Sequence, residues 1–137
     1  MICKSLAAAE HLARSAEATQ RAVDIFHTLN CKLLEGRALH NLGLAQLGLG
    51  EVSKATRTYR RAVALLRTTE DRMSEGQALM NLGAAQLASG EYASAAESLI
   101  QAIDIFHALG ESTLESQARS ALATARSGLG HESSEEH

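Results

Sequence analysis

Six histidines, two cysteines and sixteen carboxylates are the groups in this 137-residue chain that could hold a metal or do acid–base or nucleophilic chemistry. Their spacing gives them little to do. A metal site on a helix needs ligands three or four residues apart, and His40 has neither a histidine nor a carboxylate at those distances. His27 and His107 fall at equivalent helix ends, where an imidazole complements the helix dipole. Glu10 and His11 are adjacent and therefore project from different faces of a helix. Cys3 and Cys31 form no CxxC pair. On one continuous helix they would stand ~40 Å apart, beyond any disulfide, so free thiols in a reducing compartment are expected. The chain contains no GxSxG, no phosphate-binding loop and no Cys–His pairing with an orienting group. The sequence thus predicts no enzyme, no metal and no cofactor.

The elements that carry these residues are read from composition first. Proline is absent, aromatic residues make up 3%, and 45% of residues are apolar. A core without large rings is filled by Ala, Leu, Ile and Val, and such a chain, free of the strongest helix breaker, favours an all-α class. Charge is uneven: residues 1–72 hold eleven Lys/Arg against seven Asp/Glu, while residues 73–137 hold two against nine. A nucleic-acid binder needs a concentrated basic surface and stacking aromatics, so nucleic acid is not an expected partner. No apolar run approaches the ~20 residues of a membrane span, and the first residues lack the apolar segment of a signal peptide, so a cytoplasmic protein is expected.

A shift of 40 residues lays the chain on itself. EGRALHNLGLAQLGLGE (35–51) falls on EGQALMNLGAAQLASGE (75–91) with 12 of 17 positions identical, and ESQARSALATARSGLGH (115–131) is a fainter third copy. A shift of 80 places AVDIFHTL (22–29) on AIDIFHAL (102–109) with six of eight identical. A period of this size without gaps indicates stacked supersecondary units. Each unit reads as two helices. The first carries its apolar face on Ala38, Leu39, Leu42, Gly43, Gln46 and Leu49 and stops at Gly50, with Gly90 as its repeat-mate. The second presents Val52, Ala55, Tyr59, Ala62, Val63 and Leu66, or Tyr92, Ala95, Leu99, Ala102, Ile103 and Phe106. Gly43, Gly83, Ala55 and Ala95 are read as small side chains where the paired helices cross, and because a glycine inside a helix costs ~1 kcal/mol relative to alanine, Gly43 and Gly83 imply a compensating close contact.

Helices are expected near 4–29, 33–49, 52–68, 73–89, 92–108 and 112–128. The chain is read as one domain over 1–130: a partial repeat (1–32), two full repeats (33–72 and 73–111) and a partial repeat (112–130), then a polar tail at 131–137. Terminal units of a stacked array need a polar outer face. Leu12, Val23 and Phe26 on the first helix therefore need cover, and a homodimer or longer stack through this uncapped helix is an alternative use of the chain. The basic run Lys54, Arg57, Arg60, Arg61, Arg67 and Arg72 reads as a solvated outer face.

Leu82-Gly83, Gly90-Glu91-Tyr92, Ala95, Leu99 and Ala102 together resemble the tetratricopeptide repeat pattern. The common unit is about 34 residues. The 40-residue version is similar to the long-helix repeats of the Pins/LGN spindle-orientation adaptors and of kinesin light chains. The match departs at Leu44 and Ala84, where Asn is frequent in Pins/LGN repeats, and at Arg67 and His107, where shorter repeats have proline. The resemblance implies an antiparallel helix-hairpin solenoid, a right-handed superhelix of about six helices. It also implies a protein–protein scaffold or adaptor that binds a peptide segment in its concave groove. The groove residues so implied are Arg37, His40, Asn41, Leu44 and Leu47 in one repeat, Gln77, Met80, Asn81, Ala84 and Leu87 in the next, then Gln117, Ser120 and Thr124. Asn41 and Asn81 are the most informative, because an amide can both donate to and accept from a peptide backbone.

Overall fold

The computed structural model describes the backbone of residues 2–135 and the side chains of residues 10–130. Six helices follow one another: α1 (Ile2–Thr28), α2 (Lys32–Gly48), α3 (Val52–Leu66), α4 (Arg72–Ala88), α5 (Tyr92–Leu109) and α6 (Ser112–Glu135). They fall into two compact units, Met1–Asp71 and Arg72–His137. In the first unit α2 packs on α1 and on α3; in the second, α5 packs on α4 and on α6, and α4 also touches α6. The expected helix bounds hold to within about two residues, with one correction. The last helix does not end near 128 but runs to Glu135.

The turns explain the gapless period. After α2 and α5, and again after α4, a glycine adopts the left-handed conformation (Gly50, Gly110 and Gly90, φ 80°, 73° and 76°). The following amide then reaches back into the helix it leaves: Glu51 N donates to Gln46 O, Glu91 N to Gln86 O and Glu111 N to Phe106 O, each at 2.9 Å. After α1 the same closure is made by Asn30 (φ 57°), with Cys31 N on Phe26 O at 2.9 Å. Cys31 thereby begins α2 instead of continuing α1, which removes the premise of a single helix carrying both cysteines. The side chain of Cys3 lies outside the described residues. The exit of α3 is built differently. Thr68 and Thr69 donate their hydroxyls to Leu65 O (2.6 Å) and Leu66 O (2.7 Å), satisfying carbonyls that a helix end leaves open.

The core is the repeated face that the periodicity marks. Leu39, Leu42, Ala55, Tyr59, Ala62 and Leu66 are buried in the first unit, as are Leu79, Leu82, Ala95, Leu99, Ala102 and Phe106 in the second. Close helix approach is specified by glycine. A methyl group at Gly43 would stand 2.6 Å from Cε1 of Tyr59, and one at Gly83 would stand 2.7 Å from Cγ of Leu99. Gly36 against Leu66 and Gly76 against Phe106 (2.8 Å each) repeat the arrangement one turn pair earlier. Each hairpin is also tied by one polar bond: Thr58 Oγ1 donates to Gln46 Oε1 at 2.6 Å, and Ser98 Oγ to Gln86 Oε1 at 2.8 Å. Because these groups are shielded from water, losing either partner would leave an uncompensated polar atom inside.

Candidate functional site

On each of α2, α4 and α6, taken helix by helix, the expected groove residues are half-buried or exposed and lie outside the buried core. On α2, Arg37 and Asn41 are exposed, Leu44 is 45% exposed, and His40 and Leu47 are half-buried. Arg37 is already engaged, donating Nε (2.9 Å) and Nη2 (2.7 Å) to Oδ2 of Asp71 in the segment that follows α3. His40 lies with its ring centroid 5.9 Å from that of Tyr59. Burial lowers its pKa below the ordinary 6.5, so at neutral pH it presents an uncharged ring. Beneath it, the Tyr59 hydroxyl is fully enclosed, without a hydrogen-bond partner, and burial pushes its pKa up to about 12.

On α4, Gln77, Met80, Asn81 and Leu87 are half-buried and Ala84 is exposed; on α6, Gln117, Ser120 and Thr124 are exposed. Since α4 and α6 touch, these two rows sit on neighbouring helices of one unit. Thr124 donates to its own helix at Ser120 O (3.3 Å). The α2 and α4 rows each mix amides with apolar side chains, the α6 row carries an amide and hydroxyls, and the α2 row also holds the paired Arg37 guanidinium. Among the described residues no group of three or more His, Cys, Asp or Glu could hold a metal ion. No helix among them is long and apolar enough to cross a membrane.

Two features escaped sequence reasoning. His27 and His107 do more than complement a helix end: Nδ1 of His27 is 3.2 Å from Glu35 Oε2, and Nδ1 of His107 is 3.1 Å from Glu115 Oε1. The signal was present, since each carboxylate follows its histidine by eight residues across a turn. Hydrogen bonds from Arg119 and then from His107 hold the Glu115 carboxyl below the ordinary 4.5. The second feature is a groove of about 370 Å³ between α1 and α2, lined by Ala18, Thr19, Ala22 and Phe26 and by Leu34, Arg37, Ala38 and Asn41. Of the three residues expected to need cover, Val23 is sealed at 1% exposed and Leu12 and Phe26 are half-buried; among the described residues the exposed large apolar side chains here are Ile25 on α1 and Leu29 in the turn after it. The 80-residue shift exposes the difference, because Ile105, the mate of Ile25, is buried.

Two family models match the chain, both described as tetratricopeptide repeat, one over residues 38–73 and the other over residues 76–106. These spans are the two central helical hairpins. No curated protein matches the chain.

Proposed function

Because the chain is a tetratricopeptide repeat protein, we propose that it is a non-enzymatic adaptor that holds a peptide segment of a partner protein on the open face of its first helices, the concave groove of the family. The observation that carries this reading is the repeated face itself. Asn41 with Leu44, and Asn81 with Ala84, recur 40 residues apart outside the core. Asn is a mediocre helix former, so its recurrence there is not explained by helix stability. An amide beside a small or apolar side chain suits a ligand whose backbone is hydrogen-bonded and whose side chains are only loosely selected. The long-helix subclass resembling Pins/LGN belongs to the same proposal, supported by first helices of 17 residues in both central repeats.

The test is capture of a binding partner by photo-crosslinking from position 44 or 84, repeated with Asn41→Ala/Asn81→Ala and with Arg60→Ala on the outer side of α3. The amide variant is expected to lose the crosslink while keeping its helicity, and Arg60→Ala to keep it. Equal crosslinking by all three proteins would overturn the groove assignment.

A further inference from the structure

Of the expected groove residues, Arg37 alone is a lysine or arginine. Its repeat-mates on α4 and α6 are Gln77 and Gln117, which bring an amide but no charge. That one cation is already taken. Nε and Nη2 of Arg37 both donate to Oδ2 of Asp71, at 2.9 and 2.7 Å, and the Asp71 side chain is only 14% exposed. The exit of α3 brings Asp71 to this place. Its backbone N donates to Thr69 Oγ1 (3.3 Å), and the same hydroxyl donates to Leu66 O (2.7 Å), so the segment that closes α3 also carries the carboxylate to Arg37. The mates of Asp71 at the equivalent joints are Cys31 and Glu111, each following a left-handed residue in place of the threonine hook.

Resting on the peptide-groove reading of the proposed function, we infer that Asp71 is a specificity-determining residue: by holding the Arg37 guanidinium it makes the α2 row accept an uncharged stretch of the peptide and refuse an acidic one. A ligand carboxylate would have to break an existing charge-assisted pair to form its own, and one such pair exchanged for another gains little. The competitor is also tethered to the same chain, so it acts at an effective concentration that the carboxylate of a free peptide does not match. A ligand ammonium group finds no opening either, because Arg37 already neutralises the Asp71 carboxylate. What the row leaves to a ligand is uncharged: the Asn41 amide and the side chains of Leu44 and Leu47. Beside them the half-buried His40 ring carries no charge at neutral pH. The equivalent positions of the second unit, Gln77 and Glu111, likewise offer an acidic segment no cation.

The experiment titrates the isotope-labelled full chain with two Leu/Ser peptides that differ only in their central residues, Glu in one and Gln in the other. NMR follows the Arg37 Nε–Hε signal and the Asn41 side-chain amide. Wild type should bind the two peptides equally. Asp71→Asn keeps the shape of the side chain and removes its charge, so it should bind the Glu peptide on the order of three-fold tighter than the Gln peptide. High salt should erase that preference. Glu70→Gln makes the same change in net charge at the exposed neighbouring residue and should show no preference. Arg37→Gln/Asp71→Asn should lose the preference, because the freed cation is gone. Asp71→Ala is the second variant should Asp71→Asn fold poorly. A preference for the Glu peptide in wild type, or equal binding of both peptides by Asp71→Asn, overturns the role of Asp71. Movement of the Asn41 signals without the predicted order removes that role and leaves the groove in place; no movement with either peptide in any of these proteins removes both.

Discussion

Replacing Gly43 by alanine sets two quantities of opposite sign against each other. Alanine in a helix interior is favoured over glycine by about 1 kcal/mol. Against this, the new methyl would stand 2.6 Å from Cε1 and 2.8 Å from Cδ1 and Cζ of Tyr59. Carbon atoms rest at about 3.5–4.0 Å, so the ring must withdraw by roughly 1 Å. Tyr59 is fully buried, and a rigid ring has no flexible end to swing aside, so overpacking at the upper part of its usual range of about 1–3 kcal/mol is expected. The balance is a net loss of about 1–2 kcal/mol, or roughly 3–8 °C in Tm for a chain of this size. Gly130→Ala provides the reference, because nothing stands within 4 Å of its added methyl and only the helix preference, reduced by its nearness to the helix end, remains. Urea unfolding followed by circular dichroism measures both variants. If Gly43→Ala proves as stable as Gly130→Ala, the tight crossing of α2 on α3 is wrong.

Four further outcomes are expected. Asn30→Gly should stabilise the chain by about 0.5 kcal/mol and raise the urea midpoint, because glycine meets the positive φ at no steric cost; a lowered midpoint would show that the Asn side chain itself stabilises the turn. Gln46→Ala and Gln86→Ala should each cost about 1–3 kcal/mol by orphaning the Thr58 or Ser98 hydroxyl, and amide exchange should speed up in the affected hairpin. His40 has a lowered pKa in the folded chain, so the stability that comes with its neutral form is present above pH 6.5 and lost as the pH falls through the folded value. His40→Met, the residue found at position 80, should therefore gain on wild type between pH 7.5 and pH 5.5, and a constant difference in Tm would refute it. Glu115 runs the other way in charge but with the same sense in pH: its depressed pKa favours folding above 4.5 and less below it. Arg119→Ala should return the Glu115 carboxyl toward 4.5 by NMR titration; no movement would refute the assignment to Arg119.

The repeated faces were legible because repetition marks which residues share a role. Gly43 and Gly83, Ala55 and Ala95, and the helix stops at Gly50 and Gly90 all follow from laying one copy on another. What stayed hidden lies where copies differ or where chain segments meet. The exit of α3 has no glycine, and only the structure shows Thr68 and Thr69 supplying the missing closure. The last helix, expected near 112–128, runs on through Gly128, where an added methyl would stand 2.6 Å from the Tyr92 ring. Val23 and Ile25 are both aliphatic and stand two residues apart on α1, yet Val23 is 1% and Ile25 56% exposed. Which one α2 covers depends on a crossing direction that periodicity does not encode.

The joints after α1 and after α5 are one design made twice, eighty residues apart. Each has a left-handed residue, a backbone bond of 2.9 Å closing the helix, and a histidine meeting a carboxylate eight positions on. A second copy of residues 31–110, spliced in after Gly110, would place Cys31 next to that glycine and Glu35 eight positions after His107. The duplicated junction would meet the same stereochemical demands as the natural ones. The chain is thus pre-adapted to lengthen in steps of two hairpins, and recombination at this joint could extend its reach without any new core having to evolve.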